Sequence, residues 1–254
     1  MLDALLRNLL VQHVHCLNRK GNAIDAVNFN LSLASFRPNL IGVVNLINFT
    51  HNATQSPHIF FISSTSSTMG HHAETGLTAE ELITTIISAP NGYANSKYLA
   101  EHLLAHAAKQ CPLHVSFACV GQIAGPAQSR VDFLAEVLAD LALSKHKAAN
   151  DSVNVFHPVN LHPLAWEAIR PIHIQKDIEM AGASGEILHD EELQALVARN
   201  PAVRPLGFFE EMMSQATRVN VLDTQLTAQR SEKLQAVEAI KPEWIEKWVG
   251  EWVP

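Results

Sequence analysis

The chain has 254 residues, 47% of them hydrophobic and 17% charged, and carries a formal net charge of −7 at pH 7. That length suits one large domain, or a core domain with a smaller one attached, around a substantial buried core. The acidic balance excludes a general nucleic-acid binder, no apolar run approaches the roughly 18 to 20 residues of a membrane span, and the first residues, with Asp3 and no small-residue cleavage site, do not read as a secretory signal.

Residues 2–10 read as an apolar helix and Val14 to Asn18 as a short strand. A second helix is expected within Asn30 to Asn52, with Leu40, Val43, Val44, Leu46 and Ile47 on its apolar side. His58-Ile59-Phe60-Phe61-Ile62 follows, an apolar run that ends in the hydroxyl-rich stretch Ser63 to Thr68. Such a run suits a parallel strand covered on both faces. Thr78-Ala79-Glu80-Glu81 has the capping-box pattern and predicts a short helix.

From Tyr93 to about Gln110 a longer helix is expected, with Leu99, Leu103 and Leu104 facing inward and Pro112 ending it. Val115 to Val120 is the next strand, and Gly121 to Pro126 the loop that leaves it. Strand, helix and strand in this order form the unit of a doubly wound α/β sheet. Beyond it, Phe133 to Leu143 is an amphipathic helix carrying Leu134, Val137, Leu138 and Leu141, Val153 to Phe156 a late strand, and most of the remainder reads helical. Trp244, Trp248 and Trp252 recur at helical spacing and read as a packed face.

The three cysteines, Cys16, Cys111 and Cys119, have no metal-type spacing and read as reduced thiols in a cytoplasmic protein. His102 and His106 lie four apart and His71-His72 are adjacent, but no third ligand completes a set, so no metal site is expected.

Tyr93-Ala94-Asn95-Ser96-Lys97 carries the most chemistry. Positions i and i+4 share a helix face, so the phenol and the ammonium meet one small volume. A free tyrosine titrates near pH 10, and a neighbouring lysine favours the phenolate. The tyrosine then serves as general acid toward a carbonyl oxygen while hydride reaches the carbon. Tyr-x-x-x-Lys also occurs by chance as a surface pair, and the setting gives it weight. Thr65 follows a parallel strand whose C-terminal end is where such sheets bind ligands. A turn hydroxyl is the plainer reading of Thr65.

These stretches resemble the C-terminal thioester-reductase domain of fungal adenylate-forming and NRPS-like carboxylic acid reductases, in the extended short-chain dehydrogenase/reductase superfamily. The similar residues are Val14 to Arg19, Val27 to Asn30, Ser35 to Val43, Phe60 to Ser66, Gly92 to Lys97 and Val120 to Pro126. Further on come Phe156 to Asn160, Trp166, Asn200 to Val203 and the tryptophan helix. They span nearly the whole chain in the family's order.

The resemblance implies an NADPH-dependent reduction that releases an acyl thioester on a carrier protein, or a small carbonyl substrate, as an aldehyde in secondary metabolism. Thr65, Tyr93 and Lys97 would be the catalytic triad. Lys97 would also hold the nicotinamide ribose, Arg19 would face the adenosine 2′-phosphate, and Gln122 would border the nicotinamide. An ordinary solvated surface charge is the other reading of Arg19.

The sequence departs from the family by omission. It contains no G-x-x-G-x-x-G loop, whose backbone would meet the pyrophosphate, and it starts inside the helix that such a loop precedes. The third strand, its helix and the fourth strand are missing after Lys20, a further segment is missing after Leu143, and Cys119 stands where an arginine commonly precedes Val-Gly-Gln-Ile. Each lost charge-assisted hydrogen bond is worth about 1.5 to 3 kcal/mol, so NADPH binding is expected to be very weak unless another chain supplies the contacts.

The expected fold is α/β, an incomplete Rossmann-like parallel sheet with flanking helices over residues 1–128 and a mainly helical substrate or lid region over 129–254. The functional expectation is an NADPH-dependent reductase-like protein. Its alternative is a catalytically impaired derivative, or a fragment of a larger multidomain synthetase or reductase whose gene model lacks an upstream start and internal exons.

Overall fold

The computed structural model describes residues 31–54, 57–71, 73–85, 89, 91–111, 113–121, 130–144, 153–162, 221–245 and 247. The expected helix at 2–10, the strand at 14–18, Arg19, Gln122, Trp166, Trp248 and Trp252 lie outside them.

The first element is helix α1, Arg37–His51, entered through a 3-10 turn at Leu33–Phe36, with Pro38 in its first turn where no intrahelical N–H is needed. Val43 is buried and Leu40, Leu46 and Ile47 pack partly against the core, but Val44, expected inward, is exposed together with Ile41 and Phe49. This helix packs mainly against the helix at Gly92–Gln110, and its second apolar edge remains outside.

Strand β1, Ile59–Ser64, runs parallel to β3, Val115–Val120, in register from Ile59 opposite Val115 to Ser64 opposite Val120. On the other side of β3 lies β4, Asn154–Phe156, also parallel. Central β3 is buried along Val115 to Cys119, as an apolar strand covered on both faces should be. β1 is not covered in that way. It has no strand on its other edge among the described residues, and Phe60, Phe61 and Ile62 are only half-buried.

Helix α2, Gly92–Gln110, packs on β1 and β3, and Asn91 caps it by accepting the Ala94 N–H at 2.9 Å. Its buried face consists mainly of small residues, Ala94, Ser96, Ala100, Ala105 and Ala107, around fully buried Leu104. Leu99 and Leu103, expected to face inward, are each 37% exposed. Small side chains bring the helix close to the sheet, and the larger leucines flank that contact. Cys111 follows the last turn.

The capping-box expectation at Thr78 fails. Leu77–Thr78 forms a short strand, β2, parallel to β5, Val221–Leu222, and no helix follows it. Glu80 instead accepts hydrogen bonds from the N–H groups of Leu226 and Thr227 and from the Thr227 hydroxyl, at the start of helix α4, Gln225–Arg230. The carboxylate satisfies free helical N–H groups, as a capping box does, but those of a helix distant in sequence.

Helix α3, Arg130–Leu143, buries Val137, Leu138 and Leu141 as expected and leaves Leu134 half-buried. Val137 and Leu141 join Phe156 of β4 and Leu234 of helix α5, Glu232–Gln235, in a second core cluster. Ser231 ties that cluster together, capping α5 and donating to Asp140 at 2.8 Å.

Candidate functional site

The C-terminal end of β1 organises the site. The chain leaves Ser64 into a 3-10 turn at Thr65–Thr68, held by short hydroxyl side chains. Ser67 Oγ donates to the Ser64 carbonyl and Thr68 Oγ1 to that of Thr65, each at 2.8 Å, while Ser64 Oγ accepts the Ser66 N–H. Thr65 opens this turn beside the end of β3. A Cβ built on Gly121 would lie 3.8 Å from Thr65 Cγ2 and 3.2 Å from Val159 Cγ1, so the Gly121 loop and the Phe156-to-Asn160 stretch converge on Thr65.

Tyr93 and Lys97 enter from the first turns of α2. The side chains of Tyr93 and Ser64 are hydrogen-bonded, and Phe36 packs edge-on against the Tyr93 ring with centroids 5.9 Å apart. Lys97 Nζ donates to the Ile62 carbonyl at 2.9 Å and lies 5.0 Å from the Phe61 ring centroid and 5.8 Å from that of Tyr93. Thr65, Tyr93 and Lys97 therefore gather at one strand end, while Arg19 and Gln122 lie outside the described residues.

The electrostatics differ from the sequence expectation. Burial raises the Tyr93 pKa above its ordinary value, opposed by the hydrogen bond with Ser64. The Lys97 ammonium is directed at the Ile62 carbonyl. The phenol is accordingly held neutral, the form a proton donor requires. Burial lowers the Lys97 pKa, opposed by the charges of Glu101 and Cys119.

Sequence reasoning missed Ser64, Phe36 and Glu101. Glu101 is 5% exposed, accepts a hydrogen bond from Ser63 Oγ, and receives the Cys119 thiol at 3.7 Å. Its spacing, four residues beyond Lys97, was the available signal. Burial and the Glu101 charge push the Cys119 thiol well up, so it is an inert buried thiol, as expected. Among the described residues no three His, Cys, Asp or Glu side chains form a metal-binding group, and no helix is long and apolar enough to cross a membrane.

A parallel α/β sheet with a Tyr-x-x-x-Lys pair at its strand ends is a Rossmann-like arrangement. The family model described as Male sterility protein, an NAD-binding domain, matches residues 22–135. The chain is 23% identical over 273 residues to carboxylic acid reductase of Neurospora crassa, across 89% of this chain and 26% of that protein. It is 28% identical over 181 residues to adenylate-forming reductase Nps9 of Serpula lacrymans var. lacrymans, across 58% of this chain and 16% of the relative. The chain thus spans about a quarter of these curated relatives, or less.

The fold is shared with the terminal R domain of the myxalamid PKS-NRPS biosynthetic pathway, with a TM-score of 0.54, 16% identity and coverage of 89% of this chain and 66% of that one. A thiolation-reductase di-domain from an archaeal non-ribosomal peptide synthetase also has a TM-score of 0.54, at 18% identity, across 86% of this chain and 53% of its own. The chain is homologous to carboxylic acid reductase and the adenylate-forming reductases, and its residues 22–135 are similar to the NAD-binding domain of the male sterility type.

The described residues fit one end of a nicotinamide nucleotide. Lys97 has three N–H donors and uses one on Ile62, which leaves two for ribose hydroxyls. The sequence contains no G-x-x-G-x-x-G loop of the kind that holds a pyrophosphate.

Proposed function

We propose that the chain is an NADPH-dependent reductase-type domain, with residues 1–128 as the partial nucleotide-binding region and 129–254 as the substrate or lid region. The substrate would be an acyl thioester on a carrier protein, or a small carbonyl compound, in cytoplasmic secondary metabolism. The observation that carries this reading is the placement of Tyr93 and Lys97 beside Thr65 at the end of β1.

NADPH, when bound, supplies the hydride. Thr65 orients the substrate carbonyl and Tyr93 donates its proton to the carbonyl oxygen. Lys97 stabilises the phenolate that this leaves. With a thioester, the carbon–sulfur bond then breaks, and an aldehyde and a thiol depart. Arg19 favours the 2′-phosphate of NADPH, and Gln122 borders the nicotinamide.

The length of the relatives favours a second reading, in which this sequence is one segment of a longer reductase and lacks full activity alone. Titration with NADPH, followed by nucleotide fluorescence, separates the two. Saturable micromolar binding that is lost in Arg19→Ala supports a self-sufficient domain, and no binding sinks it in favour of the segment. Where turnover is seen, Tyr93→Phe should abolish it, and retained activity would refute the assigned proton donor.

A further inference from the structure

Tyr93, Lys97 and Glu101 are spaced four residues apart and share one face of α2, the face applied to β1 and the turn after it. Tyr93 and Lys97 have a place in the chemistry above, and Glu101 has none. Its carboxylate lies under the site and accepts from two donors, the hydroxyl of Ser63 and the thiol of Cys119. These come from β1 and β3, so both strands converge with α2 on one buried acid. A buried carboxylate is costly unless paired and hydrogen-bonded, and a purely apolar contact would hold these elements together without that cost. The charge faces Lys97, one helical turn away.

We propose that Glu101 is a positioning residue for the Tyr93–Lys97 pair, a buried countercharge that keeps the Lys97 amine protonated and directed at the end of β1. The use made of Lys97 rests on the reductase reading, while the coupling of the two charges stands without it. Once Tyr93 has given up its proton, a charged Lys97 stabilises the phenolate beside the Ser64 hydroxyl, and a neutral amine does not. Lys97 is itself largely enclosed, and burial lowers its pKa while the Glu101 charge opposes that from below. Burial raises the Glu101 pKa in turn, opposed by the Ser63 and Cys119 hydrogen bonds and by the Lys97 charge. The titratable groups facing Glu101 are Lys97 and Tyr98 on α2 and Cys119 on β3.

The test is the titration of Lys97 itself. The full chain is produced with 13C,15N-labelled lysine and the Lys97 side-chain resonance is assigned by its loss in Lys97→Arg. Glu101→Gln should move the Lys97 midpoint to lower pH, and Glu101→Asp should restore part of that shift. A folded Glu101→Gln protein with the wild-type midpoint would overturn the proposal, because a merely structural Glu101 changes stability and leaves the midpoint alone. If Glu101→Gln does not fold, the wild-type protein decides. Its Lys97 resonance should show a second inflection as Glu101 protonates, and a single inflection overturns the coupling. Failure to bind NADPH would sink the reductase reading without touching this titration.

Discussion

The Glu80 carboxylate accepts a 2.8 Å hydrogen bond from the backbone N–H of Thr227, 147 residues further along the chain, and another from the Thr227 hydroxyl. That hydroxyl in turn accepts the His157 N–H at 2.7 Å. One acid thereby links the segment after β2, the end of β4 and the start of α4. Replacing it leaves the N–H groups of Leu226 and Thr227 with a weaker partner or none. Glu80→Gln, which keeps an acceptor but loses the charge, should cost about 1 kcal/mol, and Glu80→Ala about 2 to 3 kcal/mol. Urea unfolding measures both, and an unchanged midpoint in Glu80→Ala would show that this link contributes nothing to stability.

Gly92 is required for close approach. A Cβ there would fall within 2.5 Å of the Leu33 nitrogen and of the Ser32 carbonyl carbon, backbone atoms that cannot rotate away. The chain before α1 therefore crosses directly over the start of α2, where Phe36 meets Tyr93. Alanine is better than glycine inside a helix by about 1 kcal/mol, so propensity alone predicts that Gly92→Ala stabilises. The crossing predicts the opposite, a net loss of about 1 to 3 kcal/mol from overpacking. A raised melting temperature in Gly92→Ala would refute the crossing.

The parallel strands and the Tyr93–Lys97 face were legible because they depend on local pattern. An apolar β-branched and aromatic run that ends in small polar residues marks β1, and i,i+4 spacing places two side chains together wherever the helix lies. What escaped depends on distant partners. Leu99 and Leu103 are more apolar than the alanines of α2, yet the alanines are buried, because the distance to the sheet decides and pattern does not encode it. The Thr78 capping box was chemically sound, but its carboxylate serves Thr227, which nothing nearby in sequence announces. Glu101 has the spacing of Lys97 repeated once more, and only the Ser63 hydroxyl and the Cys119 thiol, from two other segments, show why an acid lies there.

Acid should loosen the fold through two histidines, buried His157 and the more exposed His58. His157 is 1% exposed and its Nδ1–H donates to the Asp223 carbonyl at 2.7 Å. Burial lowers its pKa below 6.5, opposed by that carbonyl and by the charges of Glu80 and Asp223. His58 is lowered as well, by burial and by His114, with the Ala142 backbone opposing. The unfolded chain takes up protons near pH 6.5 and the native chain only at lower pH. Stability from each group is therefore full above 6.5 and lost as pH falls toward the folded value. The urea midpoint should drop between pH 7.5 and pH 5, and His157→Asn, which retains a side-chain donor, should flatten that drop. An equal slope in wild type and variant would place the acid sensitivity elsewhere.

The last prediction concerns the charge state of the proposed proton donor. The chain has two tyrosines, Tyr93 and Tyr98, so Tyr98→Phe leaves Tyr93 alone in an ultraviolet titration. Burial raises the Tyr93 pKa and the Ser64 hydroxyl opposes it. In the Tyr98→Phe background the midpoint should lie above 10, and Ser64→Ala should move it higher still. A midpoint below 10 would mean that the Lys97 charge outweighs burial even at 5.8 Å from the ring centroid. The phenol would then ionise more readily than free tyrosine, and its resting role would shift from donor toward acceptor. The direction of the Ser64→Ala change separates two arrangements. A rise means that Ser64 stabilises the phenolate by donating to it, and a fall means that Ser64 accepts from the neutral phenol and holds its proton in place.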